Sequence, residues 1–511
     1  MTFFEALAAG FALVAQWESI LFLSLGVLVG VVAGAIPGMS ATMAVALTLP
    51  FTFALQPISG ILLLLGVYKG GIFGGSIPAI LIKTPGTPAS SATAMDGYPL
   101  AEQGRAGEAL SMSLYASCIA DFISNMALIL FAAWLASFAL NFGPPEMFTL
   151  IVFSLTIIAG VSGDSLLKGI VAATLGLLLA VVGLDFIGGT DRLTFGTVEL
   201  RGGINLVPML IGLFALPEII AYIRNPAAKE HRVRALGHAA LKWTDFRRSL
   251  KSIFRGSAIG VFMGAIPGIG AAPSAFLSYS EARRNSPNRE NFGKGELEGV
   301  AAAEAGNNGV AGATLIPLLA LGIPGDIITA IIIGAFMIHE LTPGPLLFQN
   351  NAQIVYALFL GLMASSVILL VVGSVAIRAF RYIADIPPDL LFPGVLVLCI
   401  FGVYAINNSI FDVAVMLVMG VVGYIMLVLR FPAAPFLIAF ILGPMLENSF
   451  RQSLLMSRGS AEIFVRGPIT ILFWCLTIFS VVMIIRATLR AARMKREAAE
   501  AAARVSASSG S

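Results

Sequence analysis

Long apolar runs are the feature that most constrains how this chain can fold. The runs at 58–82, 109–140 and 354–377 each reach the roughly 20 residues that an α-helix needs to cross a bilayer. Hydrophobic residues make up 58% of the 511 residues, and charged residues only 12%, about half the share that is usual in soluble proteins. A soluble fold would lack the polar side chains to cover its surface. The sequence therefore predicts an all-α polytopic membrane protein.

The pentapeptide Gly-Ala-Ile-Pro-Gly interrupts two apolar runs, at 34–38 and again at 264–268. Proline removes a backbone donor and clashes with the preceding turn, and glycine loosens the backbone, so each copy is predicted to break a helix. Backbone left unpaired at membrane depth is tolerated only where it lines a cavity or is buried in protein. One such break in each half of a chain is the pattern that marks the binding site of a secondary transporter.

Two further motifs recur in the same order along the chain. An Ile-Pro pair is followed after six residues by Pro-Gly at 77–86 and again at 316–325. A Pro-Pro pair before an acidic residue occurs at 144–146 and at 387–389. Three ordered matches indicate the duplication of one unit rather than chance similarity between apolar segments.

The duplication predicts how the chain is divided. The first transmembrane repeat is expected at 19–223, and the second repeat, with a final helix, at 253–488. A basic cytoplasmic linker at 224–252 joins them. Residues 1–18 are predicted to form an amphipathic helix at the membrane interface, and 489–511 a disordered cytoplasmic tail.

Charge asymmetry predicts that the two repeats have inverted topology. The linker and the tail are basic, which places both in the cytoplasm by the positive-inside rule. The loop before Pro144 lacks Lys and Arg and is predicted to be external, whereas the loop before Pro387 carries Arg378 and Arg381 and is predicted to be cytoplasmic. The same element on opposite sides defines inverted repeats. Charge does not decide the side of residues 281–299.

Small hydroxyl side chains follow the breaks, where a carboxylate substrate is expected. A helix that begins after a break directs unpaired N–H groups and the positive end of its dipole into the gap, which favours anions. The segment 83–99 is predicted to be re-entrant, with a surface loop as the alternative, and Lys83 to be a countercharge or to snorkel to the interface. The predicted substrate-binding residues are Ser40, Thr42, Lys83, Thr87, Ser90, Ser91 and Ser274.

Exposed carbonyl groups and polar side chains near the breaks are predicted to bind a coupling cation, Na+ or H+. Asp326 directly follows a break and is either a helix cap or a cation ligand. Glu304 is the first residue of a Glu-Ala-Gly-Asn-Asn motif in an apolar segment. A charged residue there is costly, so we expect it to have a function. The predicted cation-binding residues are Gly38, Gly86, Gly268, Gly325, Asp326 and Asn307.

No motif in the sequence indicates an enzyme. A serine nucleophile elbow, a phosphate-binding loop and zinc-ligand spacing are all missing. The cysteines Cys118, Cys399 and Cys475 fall in apolar runs without metal-ligand spacing. We expect no tightly bound cofactor and no metal beyond a coupling Na+, and the net charge of +3 does not imply nucleic acid.

Together, these motifs resemble those of the large membrane subunit of the tripartite tricarboxylate transporter family. The segments that carry the resemblance are 34–42, 68–78, 83–88, 96–99, 264–273 and 304–308. The resemblance implies a multi-pass protein of the bacterial inner membrane that works with a small membrane subunit and a periplasmic solute-binding protein, which delivers a carboxylate. It also implies uptake driven by a sodium or proton gradient, without ATP.

We therefore expect a secondary active importer of organic di- and tricarboxylates. The substrate is predicted to sit near the midplane of the lipid bilayer, between the breaks of the two halves, and to be exposed alternately to each side. The alternative is an anion-selective channel, which needs a continuous polar pore and no coupling ion. Broken helices favour the transporter.

Overall fold

The protein is a multi-pass helical membrane protein. Its computed structural model describes residues 3–36, 39–161, 165–185, 188–224, 241–384, 388–486 and 489. Within these ranges, eight helices are long and apolar enough to cross a membrane, which confirms the predicted class. The one sheet found there is a hairpin of two-residue strands, β1 (Gly183–Leu184) and β2 (Asp191–Arg192), which pair antiparallel.

Before the linker, the helices that end at Ala35 and Ile82 stop at the two predicted breaks. A 3-10 helix over Leu49–Ala54 continues α3. The helices are α1 (Phe3–Val14), α2 (Trp17–Ala35), α3 (Ala41–Thr48), α4 (Pro57–Gly74), α5 (Ser76–Ile82), α6 (Ser90–Glu102), α7 (Ala106–Ala139), α8 (Pro144–Val161), α9 (Leu166–Ala180) and α10 (Leu206–Arg224).

The helices after the linker return in a similar order and with similar lengths. They are α11 (Trp243–Ala265), α12 (Ala271–Asn285), α13 (Leu297–Ala313), α14 (Leu315–Leu321), α15 (Ile327–Ile338), α16 (Pro345–Asn350), α17 (Ala352–Ala384), α18 (Pro388–Asn407), α19 (Ile410–Val428), α20 (Ala433–Met456), α21 (Ile463–Arg466) and α22 (Pro468–Arg486).

The short helices α5 and α14 show the correspondence most clearly. Each has seven residues and follows directly on a long helix. Each also ends at a residue with left-handed backbone, Lys83 with φ 58° and Gly322 with φ 73°. The Ile-Pro and Pro-Gly pairs of the repeated motif therefore lie at equivalent points of similar local structures.

Helices α2 and α4 run parallel and pack closely through glycines spaced four residues apart. A Cβ atom added at Gly34 would lie 2.5 Å from the carbonyl oxygen of Gly71, and one at Gly66 would lie 2.6 Å from that of Leu23. Small residues at this spacing let two backbones approach in a membrane. Because α2 and α4 are parallel, the segment of α3 between them runs back in the opposite direction.

Helices α11 and α13 repeat this arrangement. A Cβ atom at Gly256 would lie 2.9 Å from the carbonyl oxygen of Ala302, and one at Gly264 would lie 2.8 Å from that of Val310. The contacts advance in the same direction along both helices, so α11 and α13 are parallel. Helix α12 between them therefore runs back, as α3 does.

Helices in equivalent positions before and after the linker run antiparallel. Tyr68 Oη of α4 lies 3.5 Å from Thr314 Oγ1 at the end of α13. Ser76, eight residues further along the chain, donates to Glu304 Oε1 at 2.5 Å, earlier in α13. The partner number falls as the residue number rises, so the apolar span Pro57–Ile82, which contains α4 and α5, runs opposite to α13.

Helices α7 and α17 form a second antiparallel pair of equivalent helices. Ser366 Oγ donates to Asp121 Oδ2 at 2.6 Å. Leu114 lies about two turns before Asp121 in α7, and it contacts Gly373, which lies after Ser366 in α17. A Cβ atom added at Gly373 would lie 2.5 Å from the leucine side chain.

Residues 286–296 lie beside the start of α11, which follows the linker. Arg248 of α11 pairs with Glu296, and Ser252 Oγ donates to Glu298 Oε1 at 2.7 Å. Residues 286–296 therefore lie at the same end of the helices as the start of α11. The charges in the sequence did not decide this position.

The chain divides into two compact units that do not follow the predicted repeats. One unit comprises Met1–Asn141 and Val182–Leu429, and the other Phe142–Val181 and Arg430–Ser511. Each unit contains segments from both sides of the linker. In the first unit, α1 packs against α17, where a Cβ atom at Gly10 would lie 2.8 Å from the amide nitrogen of Ala357.

Candidate substrate and cation site at the helix breaks

Ser40 caps α3 immediately after the first break. Its Oγ accepts the N–H of Met43 at 3.0 Å and donates to Glu218 Oε1 of α10 at 2.6 Å. Thr42 follows in the first turn of α3 and is half-buried. Gly38 lies outside the described residues. The first predicted substrate hydroxyl thus already has a carboxylate partner within the protein.

The second break folds back onto the first. Lys83 ends α5, and the N–H of Gly86 then donates to the carbonyl of Gly75 at 3.0 Å. A Cβ atom at Gly86 would lie 2.5 Å from the carbonyl oxygen of Gly34, so only glycine fits where the two breaks meet. Lys83 itself is exposed, and its Nζ lies 5.4 Å from the centre of the Tyr98 ring.

Helix α6 begins with the predicted hydroxyl residues. Thr87 Oγ1 accepts the N–H of Ser90 at 3.2 Å and lies 2.7 Å from Ser90 Oγ. Ser90 is fully buried, and its Oγ lies 3.2 Å from Ser76 Oγ. Ser91 is half-buried at the next position. These side chains form a connected set of hydroxyl groups at the start of the helix.

The two breaks after the linker are joined by a hydrogen bond. The N–H of Gly268 donates to the carbonyl of Gly325 at 2.7 Å. Ser274, in the first turn of α12, is buried and donates to the carbonyl of Gly306 at 2.8 Å. Its hydroxyl therefore connects α12 to α13, and a substrate would have to compete for it.

Each second break is also contacted by a long helix from the other side of the linker. Asp326 caps α15, and Tyr68 Oη of α4 donates to its Oδ2 at 2.8 Å. In the other direction, Glu304 of α13 accepts hydrogen bonds from Ser76 Oγ, at 2.5 Å, and from Thr93 Oγ1. A side chain of α4 therefore contacts the α14–α15 break, and a side chain of α13 contacts residues on both sides of the α5–α6 break.

Asn307 is buried on α13, one turn after Glu304. Neither its side-chain oxygen nor its side-chain nitrogen has a hydrogen-bond partner. A buried amide without partners is costly, and such groups call for a specific explanation.

Lys69 and Asp121 form a buried ion pair between α4 and α7. Lys69 Nζ donates to Asp121 Oδ1 at 2.5 Å and to Asn125 Oδ1 at 2.7 Å, and each charged side chain is 1% exposed. Ser366 of α17 donates to the other carboxylate oxygen at 2.6 Å. The network connects three helices and leaves no net charge.

Asp96, part of the Asp-Gly-Tyr-Pro motif, holds the loop before α13. Its Oδ1 accepts the N–H groups of Gly293, Gly295 and Glu296 at 2.7, 2.9 and 2.9 Å, and Tyr279 Oη donates to its Oδ2 at 2.8 Å. This carboxylate therefore has a structural role, because it joins the middle of α6 to the loop before α13.

The sequence analysis did not single out Glu218, Lys69 or Asp121 as candidate residues. Each is a charged residue inside an apolar run, which is the signal that could have identified it. Their partners could not be found in this way, because those partners lie on helices distant in the chain.

A metal cluster is not found among the residues that the structure describes, where no group of three or more His, Cys, Asp or Glu side chains comes together. Cys118 and Cys399 are buried and Cys475 is exposed, all as free thiols.

Comparisons with known proteins give matches that cover most of the chain. The family profile described as the tripartite tricarboxylate transporter TctA family matches residues 20–438. A protein of Agrobacterium vitis, named "Uncharacterized 52.8 kDa protein in TAR-I ttuC' 3'region", is 36% identical over 97% of this chain and 99% of its own length. A second, from the TAR-II ttuC' 3'region of the same organism, is 34% identical over 46% of this chain and 97% of its own length. No solved structure matches.

Proposed function

Since the chain belongs to the tripartite tricarboxylate transporter TctA family, we propose that it is the secondary active importer of its system. It would take up organic di- or tricarboxylates across the bacterial inner membrane, driven by a sodium or proton gradient. A periplasmic solute-binding protein would deliver the substrate, and a small membrane subunit would complete the transporter. Its C-terminus would lie in the cytoplasm.

The reciprocal contact between the breaks carries this proposal. Tyr68 of α4 binds the cap of α15, and Glu304 of α13 binds the hydroxyl groups around the start of α6. Interrupted helices that meet in this way place free N–H groups, hydroxyls and carbonyls at one buried location, which is the construction used for substrates and coupling ions in secondary transporters. The substrate would bind near the hydroxyls at the starts of α3 and α6.

Inverted repeats would supply the two alternating states. The antiparallel packing of α4 against α13 and of α7 against α17 supports this arrangement. The returning helices α3 and α12 would be re-entrant, since each follows a break and lies between two parallel helices. Exchange of conformation between the two repeats would then open the same site to either side of the membrane.

Uptake into vesicles tests the coupling. The full complex would be reconstituted and supplied with binding protein loaded with a carboxylate, under an inward sodium gradient, an inward proton gradient or neither. We expect accumulation against the substrate gradient that stops when ionophores dissipate the driving ion gradient. Flux that continues unchanged without any ion gradient would instead indicate the anion-selective channel.

Replacement of the hydroxyls at the breaks tests the location of the site. We expect Ser40→Ala and Ser90→Ala to reduce uptake by about tenfold each, the effect of losing one hydrogen bond to a charged group. Ser374→Ala is the matched control, because this half-buried serine of α17 donates to the carbonyl of Leu370 within its own helix. Unchanged uptake in both site variants, at equal protein levels in the membrane, would rule out this location.

A further inference from the structure

We propose that Glu304 and the hydroxyl groups around it form a binding site for a sodium ion. This inference deepens the proposed function by naming the coupling ion and its ligands. The site is distinct from the carbonyl groups of the breaks, because it consists of side chains from α5, α6, α7 and α13.

Glu304 is a fully buried carboxylate whose hydrogen-bond partners are all neutral. Ser76 Oγ and Thr93 Oγ1 donate to Oε1, and Ser117 Oγ donates to Oε2 at 2.9 Å. Asn308 Nδ2 lies 3.3 Å from Oε2. Burying an ionised carboxylate without a positive partner is expensive, and a bound cation would offset this cost.

Asp121 provides a contrast within the same helical unit. This carboxylate is equally buried but has the ammonium group of Lys69 at 2.5 Å. Its charge is balanced by the protein itself, whereas the charge of Glu304 is not balanced by any of its hydrogen-bond partners. Glu304 therefore differs from Asp121 in having no positively charged side chain among its hydrogen-bond partners.

Oxygen atoms around Glu304 favour a sodium ion over a proton. Ser113 Oγ of α7 is fully buried and lies close enough to the Glu304 carboxylate to interact with it. Asn307 Oδ1, one turn along α13, is buried and unpartnered. A proton on Glu304 would still leave the Asn307 amide without a partner, whereas a hard cation coordinates carboxylate, hydroxyl and amide oxygens together.

The hydroxyl groups can serve the site in both of its states. A serine or threonine hydroxyl donates one hydrogen bond and retains two lone pairs. Without the ion, Ser76, Thr93 and Ser117 stabilise the carboxylate by donation, as the hydrogen bonds describe. With the ion, the same oxygens turn their lone pairs toward it. Because Ser76 also contacts Ser90 at the start of α6, occupancy of this site would order the α5–α6 break.

Thermal unfolding of the purified full-length protein tests sodium binding without substrate or partner proteins. Sodium chloride should raise the unfolding temperature in a saturable way, since a ligand that binds only the folded state stabilises it. Choline chloride at equal ionic strength should not do so. Glu304→Gln should abolish the sodium response, because it removes the charge and keeps the side-chain shape.

Ser113→Ala provides the sharper test, because it removes one oxygen beside the carboxylate and leaves the charge of Glu304 in place. A hydrogen bond to the carboxylate alone would leave the sodium concentration for half-maximal stabilisation unchanged, whereas loss of one oxygen ligand should raise it by about tenfold. Ser257→Ala is the matched control, since Ser257 is a buried helical serine that donates to the carbonyl of Ile253. Should Glu304→Gln fail to fold, Ser113→Ala alone decides the question.

Three results would overturn the sodium site: no sodium response in the unmodified protein, a full response in Glu304→Gln, or an unchanged midpoint in Ser113→Ala. Accumulation that depends on a proton gradient but not on sodium would also reject it, and would leave the importer itself intact. Conversely, ion-independent flux would reject the importer, while the sodium response in thermal unfolding would stand.

Discussion

At the level of single residues, buried carboxylates organise the breaks. Serine and tyrosine hydroxyls pair with them, as Ser40 does with Glu218 and Tyr68 does with Asp326. The sequence analysis predicted a carboxylate substrate as the partner of Ser40, but the structure shows that a protein carboxylate already occupies that donor. A substrate at the start of α3 must therefore share or displace Glu218.

The Lys69–Asp121 pair gives a prediction at this scale. We expect Lys69→Met or Asp121→Leu alone to lower stability by about 3–5 kcal/mol, because each leaves an uncompensated buried charge. The double variant should recover most of this loss, because no charge remains. The measurement is the unfolding temperature of each purified variant.

An exposed ion pair provides the control for this cycle. Arg466 and Glu462 are paired at 2.7 Å with side chains that are 71% and 59% exposed, so Arg466→Met should change stability by no more than about 0.5 kcal/mol. Single variants of Lys69 or Asp121 as stable as the parent would show that the buried pair carries no such constraint.

At the level of elements, close glycine contacts define the pairs α2–α4 and α11–α13. Glycines recur every four residues at 26, 30 and 34 and again at 256, 260 and 264, a pattern that sequence analysis can read as a helix interface. Periodicity does not reveal which helix lies opposite or whether it is parallel. That information came from the contacts with α4 and α13.

Substitution of one of these glycines tests the element packing. A Cβ atom at Gly30 would lie 2.7 Å from the amide nitrogen of Gly71 in the parallel helix. Gly30→Ala should therefore push the two helices apart and cost about 1–3 kcal/mol, seen as a lower unfolding temperature. Gly394→Ala in α18 is the control, because nothing lies within 4 Å of its added Cβ atom and alanine favours helix. An equal effect at both positions would contradict this packing.

At the level of the whole molecule, compact packing and sequence repetition divide the chain differently. The repeats are consecutive along the chain, whereas each compact unit combines segments from both sides of the linker. Helix α10 packs with α19 in the first unit, and α9 packs with α20 in the second. Elements from one side of the linker therefore pair with elements from the other in both units, which supports the proposed duplication.

Cysteine accessibility tests the topology that this duplication implies. Val198→Cys, before α10, should react with a membrane-impermeant maleimide in intact spheroplasts, whereas Thr244→Cys and Arg289→Cys should react only after permeabilisation. Positive-inside charge places the start of α11 in the cytoplasm, and the Arg248–Glu296 pair places residue 289 near it. Labelling of position 289 from outside, or of 198 and 244 from the same side, would contradict the predicted orientation.

The sequence by itself determined the membrane class, the breaks and the family motifs. These features depend on local composition and on the backbone chemistry of proline and glycine, which act within a few residues. Repetition of Gly-Ala-Ile-Pro-Gly and of Ile-Pro with Pro-Gly also marked the segments that meet in the structure. Local chemistry was enough for this purpose, because a broken helix must be buried wherever it occurs in a membrane.

Only the tertiary structure decided which groups come together at those breaks. The partners of Glu304 come from α5, α6, α7 and α13, and Glu218 reaches Ser40 across 178 positions of the chain. Sequence spacing carries no information about such contacts, because helix packing sets them. Burial makes a charge without a counter-charge, or an amide without a partner, costly. This cost is the reason to propose a role for Glu304 and Asn307, and it could not be read from their positions in the sequence.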